Sequence, residues 1–321
     1  MLGLGTSVVP DSSATSFFLE ATLLAKFKTR VIDDGGSVES YSCMEQQLVP
    51  LLLEPTTFTT GLLEFYPNAA AAYSLRQLRR SVSPYAIRVR RANDDELDIG
   101  FGSDGELDTN ALLDFADTGD VWVSVWYDQS SNGNDATQST NADQPQIVSS
   151  GSVITENGKP TVQFDGADHQ FQLQFTDLYG QSVLDAYITY ATNDDSYILF
   201  SARPTEYKYG FVVEDANSST NIHSYYSPPS GLPDLFINGT EYVLNNGTTT
   251  RDDLHTQLAQ NQMILEVHQG ATTSAWTDFS FSNYSGRRLS GNVSEIILYN
   301  SDQSGNRTGI EDNINDYYNI Y

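Results

Sequence analysis

Apolar positions along this chain follow two regimes. Over the first 60 residues they recur at helical spacing. Phe17, Ala21, Leu24, Phe27 and Val31 share one face of a helix from Ser12 to Asp34, and Gly35-Gly36 stops it. Ser37 caps a second helix, which runs through Val38, Tyr41, Cys43 and Leu48 to Pro50. LLLEPTTFTTG then reads as a linker or an edge segment. PNAAAAYSLRQLRR, from Pro67 to Arg80, carries four consecutive alanines and ends on arginines, which predicts a further helix.

Beyond that point the period changes. Tyr85 to Arg91, Val121 to Trp126, Thr161 to Phe164, Ala186 to Ala191, Tyr197 to Ala202, Gly210 to Val213, Asp234 to Ile237, Met263 to His268 and Val293 to Tyr299 are short runs rich in Val, Ile, Tyr and Phe, set apart by Gly, Asn, Asp or Pro. Many short strands with turn signals imply a mainly β protein, a jelly-roll sandwich. Two helices interrupt it, Thr109 to Ala116 and a C-terminal one from Gly305 to Ile320. Ile310, Ile314, Tyr317 and Tyr321 form the apolar stripe of the second. The predicted organisation is a helical arm over residues 1–60 and a sandwich over 61–321. No fixed repeat points to a solenoid.

Charge narrows the partners. The 16 basic and 42 acidic residues give a net charge of −26, which repels phosphate backbones and anionic bilayers, so neither nucleic acid nor membrane insertion is expected. Six of the basic residues lie between Arg76 and Arg91. They form either an anion-binding patch or, more simply, the partners of Asp94, Asp95, Glu96 and Asp98 nearby. Cys43 is the only cysteine, which excludes an intrachain disulfide. The N-terminus has no basic n-region and no long apolar core, so no signal peptide is read. The Asn-x-Ser/Thr triplets, among them Asn238-Gly-Thr, are read as turn chemistry.

The stretch VWYDQSSNGNDATQ, from Val125 to Gln138, is the most site-like. Against a calcium loop it offers Asp128, Ser130, Asn132, Gly133 and Asn134, but Ser139 stands where a bidentate Glu is needed. A turn in which Asp128 bonds its own loop fits better. Gly100-Phe-Gly-Ser-Asp-Gly105 is surrounded by carboxylates, the wrong sign for a pyrophosphate. His169, His223, His255 and His268 make no zinc pattern. No metal or cofactor is expected. Strand-borne carboxylates, Glu214, Asp215, Glu266, Asp278 and Glu295, are candidates for a glycosidic acid pair, whose spatial separation the sequence does not reveal.

WYDQSSNGNDATQ at Trp126, AYSLRQLRR at Tyr73, AIRVRRANDDELDIGF at Ala86, ELDTNALLDF at Glu106 and NGKPTVQFDG at Asn157 resemble the catalytic-domain family of α-L-arabinofuranosidase B. That resemblance implies a concanavalin-A-like β-sandwich. The C-terminal GNVSEIILYNSDQSGNRTGIEDNINDYYNIY and the N-terminal FKTRVIDDGGSVESYSCMEQQL are similar to segments of tailed-phage structural proteins. The chain departs from the family in lacking its adjacent cysteine pair, and if GFVVEDANSS is the catalytic strand, Ala216 stands where the family's glutamate would precede Asn217. Glu214 and Asp215 are then the candidates for catalysis.

The expectation that follows is a virion structural protein of a tailed phage, on a fibre, spike or capsid surface. Residues 1–60 would dock to other virion proteins, the apolar face of Phe17, Leu24 and Phe27 would drive homo-oligomerisation, and the sandwich would bind host-surface glycan. Trp126, Tyr127, Asp128, Asn132 and Asn134 are the expected sugar contacts, although alternation sends one of the two aromatics into the core. The alternatives are an arabinofuranosidase-like glycoside hydrolase and a purely architectural module.

Overall fold

A computed structural model describes residues 60–80, 83–173, 184–192, 197–198, 200–202, 212–213, 234–244, 248–258, 262–269, 279–281 and 288–321. The two predicted N-terminal helices, Glu214, Asp215 and Asp278 lie outside them. The chain parts into two units between Thr57 and Phe58, and the second contains everything that follows.

Fifteen strands position the site: β1 (Ala71–Ser74), β2 (Tyr85–Arg91), β3 (Glu96–Gly100), β4 (Val121–Trp126), β5 (Ala136–Thr137), β6 (Gln146–Ser149), β7 (Val162–Asp165), β8 (Phe171–Leu173), β9 (Leu184–Thr192), β10 (Phe200–Ala202), β11 (Asp234–Ile237), β12 (Thr240–Tyr242), β13 (Met263–Gln269), β14 (Phe279–Phe281) and β15 (Ser290–Tyr299). They pair in the order β10-β14-β8-β5-β4-β6-β7-β15-β9-β13-β11-β12, with β2 on β4, β3 on β2 and β1 on β15. Adjacent strands are antiparallel throughout, and the sheet doubles over between β6 and β7 into two layers, a β-sandwich. Val89, Val123 and Trp126 from one layer and Ile188, Tyr190, Leu265 and Leu298 from the other fill the space between, each at most 1% exposed.

The second layer is covered on its outer face as well. Helices α1 (Leu62–Phe65) and α4 (Arg307–Tyr318) pack on Tyr187, Ile264, Ile297 and Tyr299 through Leu62, Leu63, Ile310, Ile314 and Tyr318. All nine residues of β9 are buried for this reason. Each aliphatic side chain that α4 buries is worth about 1.5–3 kcal/mol. Tyr318 completes the buried stripe in place of the expected Tyr321, which is 55% exposed. Helix α2 (Thr109–Ala116) forms as predicted. Asp108 caps it by accepting from the Ala111 N–H at 3.0 Å.

Two expectations change. Pro67 to Arg80 is not a helix: Ala71 to Ser74 form β1, paired with Leu298 to Glu295 of β15, and Ala71 and Ala72 are 0% exposed. Helix propensity offers these alanines a few tenths of a kcal/mol each, and a ladder buried on both faces outweighs it. Small side chains are what that two-sided burial accommodates. Conversely, α3 (Arg251–Leu258) was not anticipated. Its signal is a reciprocal cap, in which Thr250 Oγ1 accepts from Asp253 N at 3.1 Å and Asp253 Oδ2 accepts from Thr250 N at 2.9 Å.

Candidate functional site

Strand β4 delivers the loop. Its alternation breaks at a bulge opposite Arg88 and Val89, where Ser124 is the extra residue. Val121, Val123 and Trp126 therefore all face the core, and the next side chain, Tyr127, turns outward. Trp126 is 1% exposed and wedged against the rings of Tyr73 and Phe171 at 6.1 and 6.2 Å. It cannot stack on a sugar.

Asp128 is the hub of the loop. Oδ1 accepts from Ala72 N at 2.9 Å and Ser130 N at 2.8 Å, while Oδ2 accepts from Ser130 Oγ at 2.6 Å and Asn134 N at 3.0 Å. Its acceptor sites are filled by the chain itself, and the residue is 4% exposed. The Asn132 side chain donates to the carbonyls of Ala69 and Ala70, and Asn134 donates to that of Ala70. Gln129 accepts from Leu78 N and donates to the carbonyls of Ser74 and Arg76. These bonds clamp the irregular segment around β1 onto β4. The polar groups that made the loop look like a site are consumed in holding the fold, and only Asn132 of the three polar candidates stays exposed.

Tyr127 lies on the open face of the first layer. Its hydroxyl donates to Asp98 Oδ1 at 2.7 Å, and Arg88 clasps the same carboxylate with Nε at 2.7 Å and Nη2 at 2.9 Å. The Arg88 hydrogen bonds, with that of Tyr127, hold the Asp98 carboxyl below the usual carboxylate range. Burial and the Asp98 bond push the Tyr127 hydroxyl up. Tyr85 rests against Tyr127 with ring centres 5.9 Å apart. Asp135, which accepts from Asp128 N at 2.9 Å, is half-buried, and burial raises its carboxyl. Two further arginines pair as the charge pattern suggested, Arg90 with Asp94 at 3.3 Å and Arg91 with Asp95, whereas Arg79 donates to the Ser130 carbonyl and to Ser131 Oγ.

Two of the strand-borne carboxylates lie far from any open face. Glu295 on β15 and Glu266 on β13 are both 0% exposed beneath α4. Glu295 receives Arg76 through Nε at 2.8 Å and Nη2 at 3.0 Å, and Ser74 Oγ at 2.7 Å. Burial works against the charge on Arg76, but Glu295 more than offsets it and holds the guanidinium more firmly protonated than usual. Glu266 lies 3.5 Å from Arg307 Nη1, which also meets Glu311 at 3.0 Å. Burial first, and then a hydrogen bond to Glu266, push the Glu311 carboxyl up to about 7. Tyr321 donates to its other oxygen at 2.7 Å. Glu311 was not singled out in the sequence, where its (i, i+4) spacing from Arg307 was the only local sign. These pairs are closed to a saccharide, so Glu266 and Glu295 are structural.

No protein-family model and no curated protein matches the chain. Solved structures do. A crystal structure of arabinofuranosidase complexed with arabinofuranosyl-α-1,2-xylobiose aligns with TM-score 0.50 at 13% identity, covering 79% of this chain and 64% of that one. A GH54 α-L-arabinofuranosidase soaked with a cyclic sulfate inhibitor gives TM-score 0.43 at 15% identity over the same shares. This chain spans less than two thirds of the arabinofuranosidases it matches, and the likeness is one of fold.

Proposed function

We propose that the chain is a carbohydrate-active protein of arabinofuranosidase type, a glycoside hydrolase that removes arabinofuranosyl groups from a neutral polysaccharide. The observation that carries this reading is the alignment of the sandwich, over 79% of the chain, with an arabinofuranosidase that holds an arabinofuranosyl xylobiose. Hydrolysis needs two carboxylates flanking the scissile bond. Since Glu266 and Glu295 are consumed by arginines, Glu214 and Asp215, directly after the strand Val212–Val213, are the two alternatives to test for one of these carboxylates. Purified protein is incubated with 4-nitrophenyl α-L-arabinofuranoside and with arabinoxylan, and released arabinose is measured. One of Glu214→Gln and Asp215→Asn is expected to lower the rate at least about a hundredfold. Full activity in both variants would remove these residues from the mechanism, and no release by the unaltered chain would remove the reading.

One observation favours a second reading, a glycan-binding surface without turnover. At the open face the Asp98 carboxylate is neutralised by Arg88, which suits holding a sugar better than cleaving it. The tailed-phage setting, docking through residues 1–60, homo-oligomerisation and host-glycan recognition belong to this reading. Immunogold labelling of particles with antibody against residues 61–321 tests it, and label confined to the medium would count against it.

A further inference from the structure

The open face of the first layer carries an aromatic pair that the fold does not need for its core. Tyr85 is 41% exposed at the start of β2, its ring held beside that of Tyr127 at an interplanar angle of 41°. Tyr127 is in turn fixed by its hydroxyl on Asp98, and Asp98 by the two-pronged contact of Arg88. Tyr127 is thus set in place by a charged scaffold and offers Tyr85 a fixed ring to rest on, which lowers the rotamer freedom to be lost when something settles on the pair.

The strand partner of Tyr85 is Gly100. A Cβ there would come within 2.4 Å of the Pro84 carbonyl oxygen and 3.8 Å of Tyr85 Cδ1. The backbone approach excludes a side chain at this position, so no cross-strand neighbour grows beside the Tyr85 ring. The same face continues through mostly polar positions. Register sets Arg88 opposite Val125, Val125 opposite Thr137, and Thr137 opposite Gln172, with Thr137 and Gln172 both exposed. Polar groups at Arg88, Thr137 and Gln172, with the apolar Val125 between the first two, thus run away from the aromatic pair across successive strands about 4.8 Å apart.

We propose that this face, centred on Tyr85 and Tyr127, binds the pyranose rings of a neutral polysaccharide backbone. The assignment rests on the carbohydrate reading and names the part of the substrate that this face would hold. The apolar C–H face of a pyranose matches an exposed tyrosine ring, and its equatorial hydroxyls match Asp98, Arg88, Thr137 and Gln172. Charge selects the polymer. The Arg88 guanidinium is paired with Asp98, and the chain carries a net charge of −26, so a uronic-acid polymer is repelled while a xylan or neutral glucan is not.

The test uses the full chain in affinity electrophoresis through gels containing xylan, a neutral β-glucan or polygalacturonate. Retardation is expected in one of the neutral gels and absent with polygalacturonate. Tyr85→Ala is expected to weaken binding about tenfold and Tyr85→Phe to keep it, because the ring and not the hydroxyl makes the contact. Tyr85 lies outside the core, so the Tyr85→Ala protein folds even where a Tyr127 variant does not. Equal retardation of Tyr85→Ala and the unaltered chain would overturn the assignment and leave the carbohydrate reading intact. Arabinose release without any retardation would do the same. Neither retardation nor release would overturn both.

Discussion

Replacing Glu311 by glutamine is expected to stabilise the sandwich above pH 7. Helix α4 turns Glu311 inward against Glu266, its side chain 3% exposed, with Arg307 as the cation shared by the two carboxyl groups. Burial and the bond to Glu266 raise its pKa from 4.5 to about 7. The folded state therefore holds this proton more tightly than the unfolded chain. The stability it contributes is fully present below pH 4.5 and is lost as pH rises through about 7. One proton is worth about 1.4 kcal/mol per pH unit, which makes the loss about 3 kcal/mol by pH 8. Glutamine presents an amide donor to Glu266 at every pH and leaves Arg307 paired with a single carboxylate. In urea titrations from pH 5 to 9, the unaltered protein should lose midpoint up to about pH 7 and then level off while Glu311→Gln stays level throughout, exceeding it by about 3 kcal/mol at pH 8 and matching it within about 1 kcal/mol at pH 5. Parallel pH profiles for the two proteins would refute the shared-proton account, and a variant weaker at pH 8 would show that Glu311 serves as a partner of Arg307 alone.

Other outcomes follow from the same contacts. Asp128→Asn places an NH₂ group where Oδ2 now accepts from Asn134 N and Ser130 Oγ. The hydroxyl can turn but the backbone N–H cannot, so a loss of about 2–3 kcal/mol is expected in urea unfolding. Arg76→Met leaves Glu295 buried without its cation and should cost about 3–5 kcal/mol by the same measurement. A double variant that also carries Glu295→Leu should recover most of that loss, since an apolar pair of similar volume avoids the desolvation of both charges.

What the sequence determined by itself was local. Helix α2, the strands Tyr85–Arg91, Val121–Trp126 and Asp234–Ile237, and the Asn238-Gly239 hairpin turn, where both residues have positive φ, follow from caps, alternation and turn residues within a few positions of one another. The C-terminal helix was legible in Ile310 and Ile314. Tertiary structure decided everything that depended on a distant partner. Strict alternation from Val121 and Val123 would send Tyr127 inward and Trp126 outward, and the bulge against β2 reverses both, so the available aromatic was fixed some 36 residues away. Two of the four alanines, Ala71 and Ala72, became part of a strand because β15, more than 200 residues later, offered an edge. Glu266 and Glu295, two of the carboxylates that counted as catalytic candidates on strand pattern alone, proved to be held by Arg307 and Arg76, because a charge is identified by what it meets in space. Side-chain direction repeats every two or 3.6 residues and can be read along the chain, whereas pairing across a folded sheet has no period.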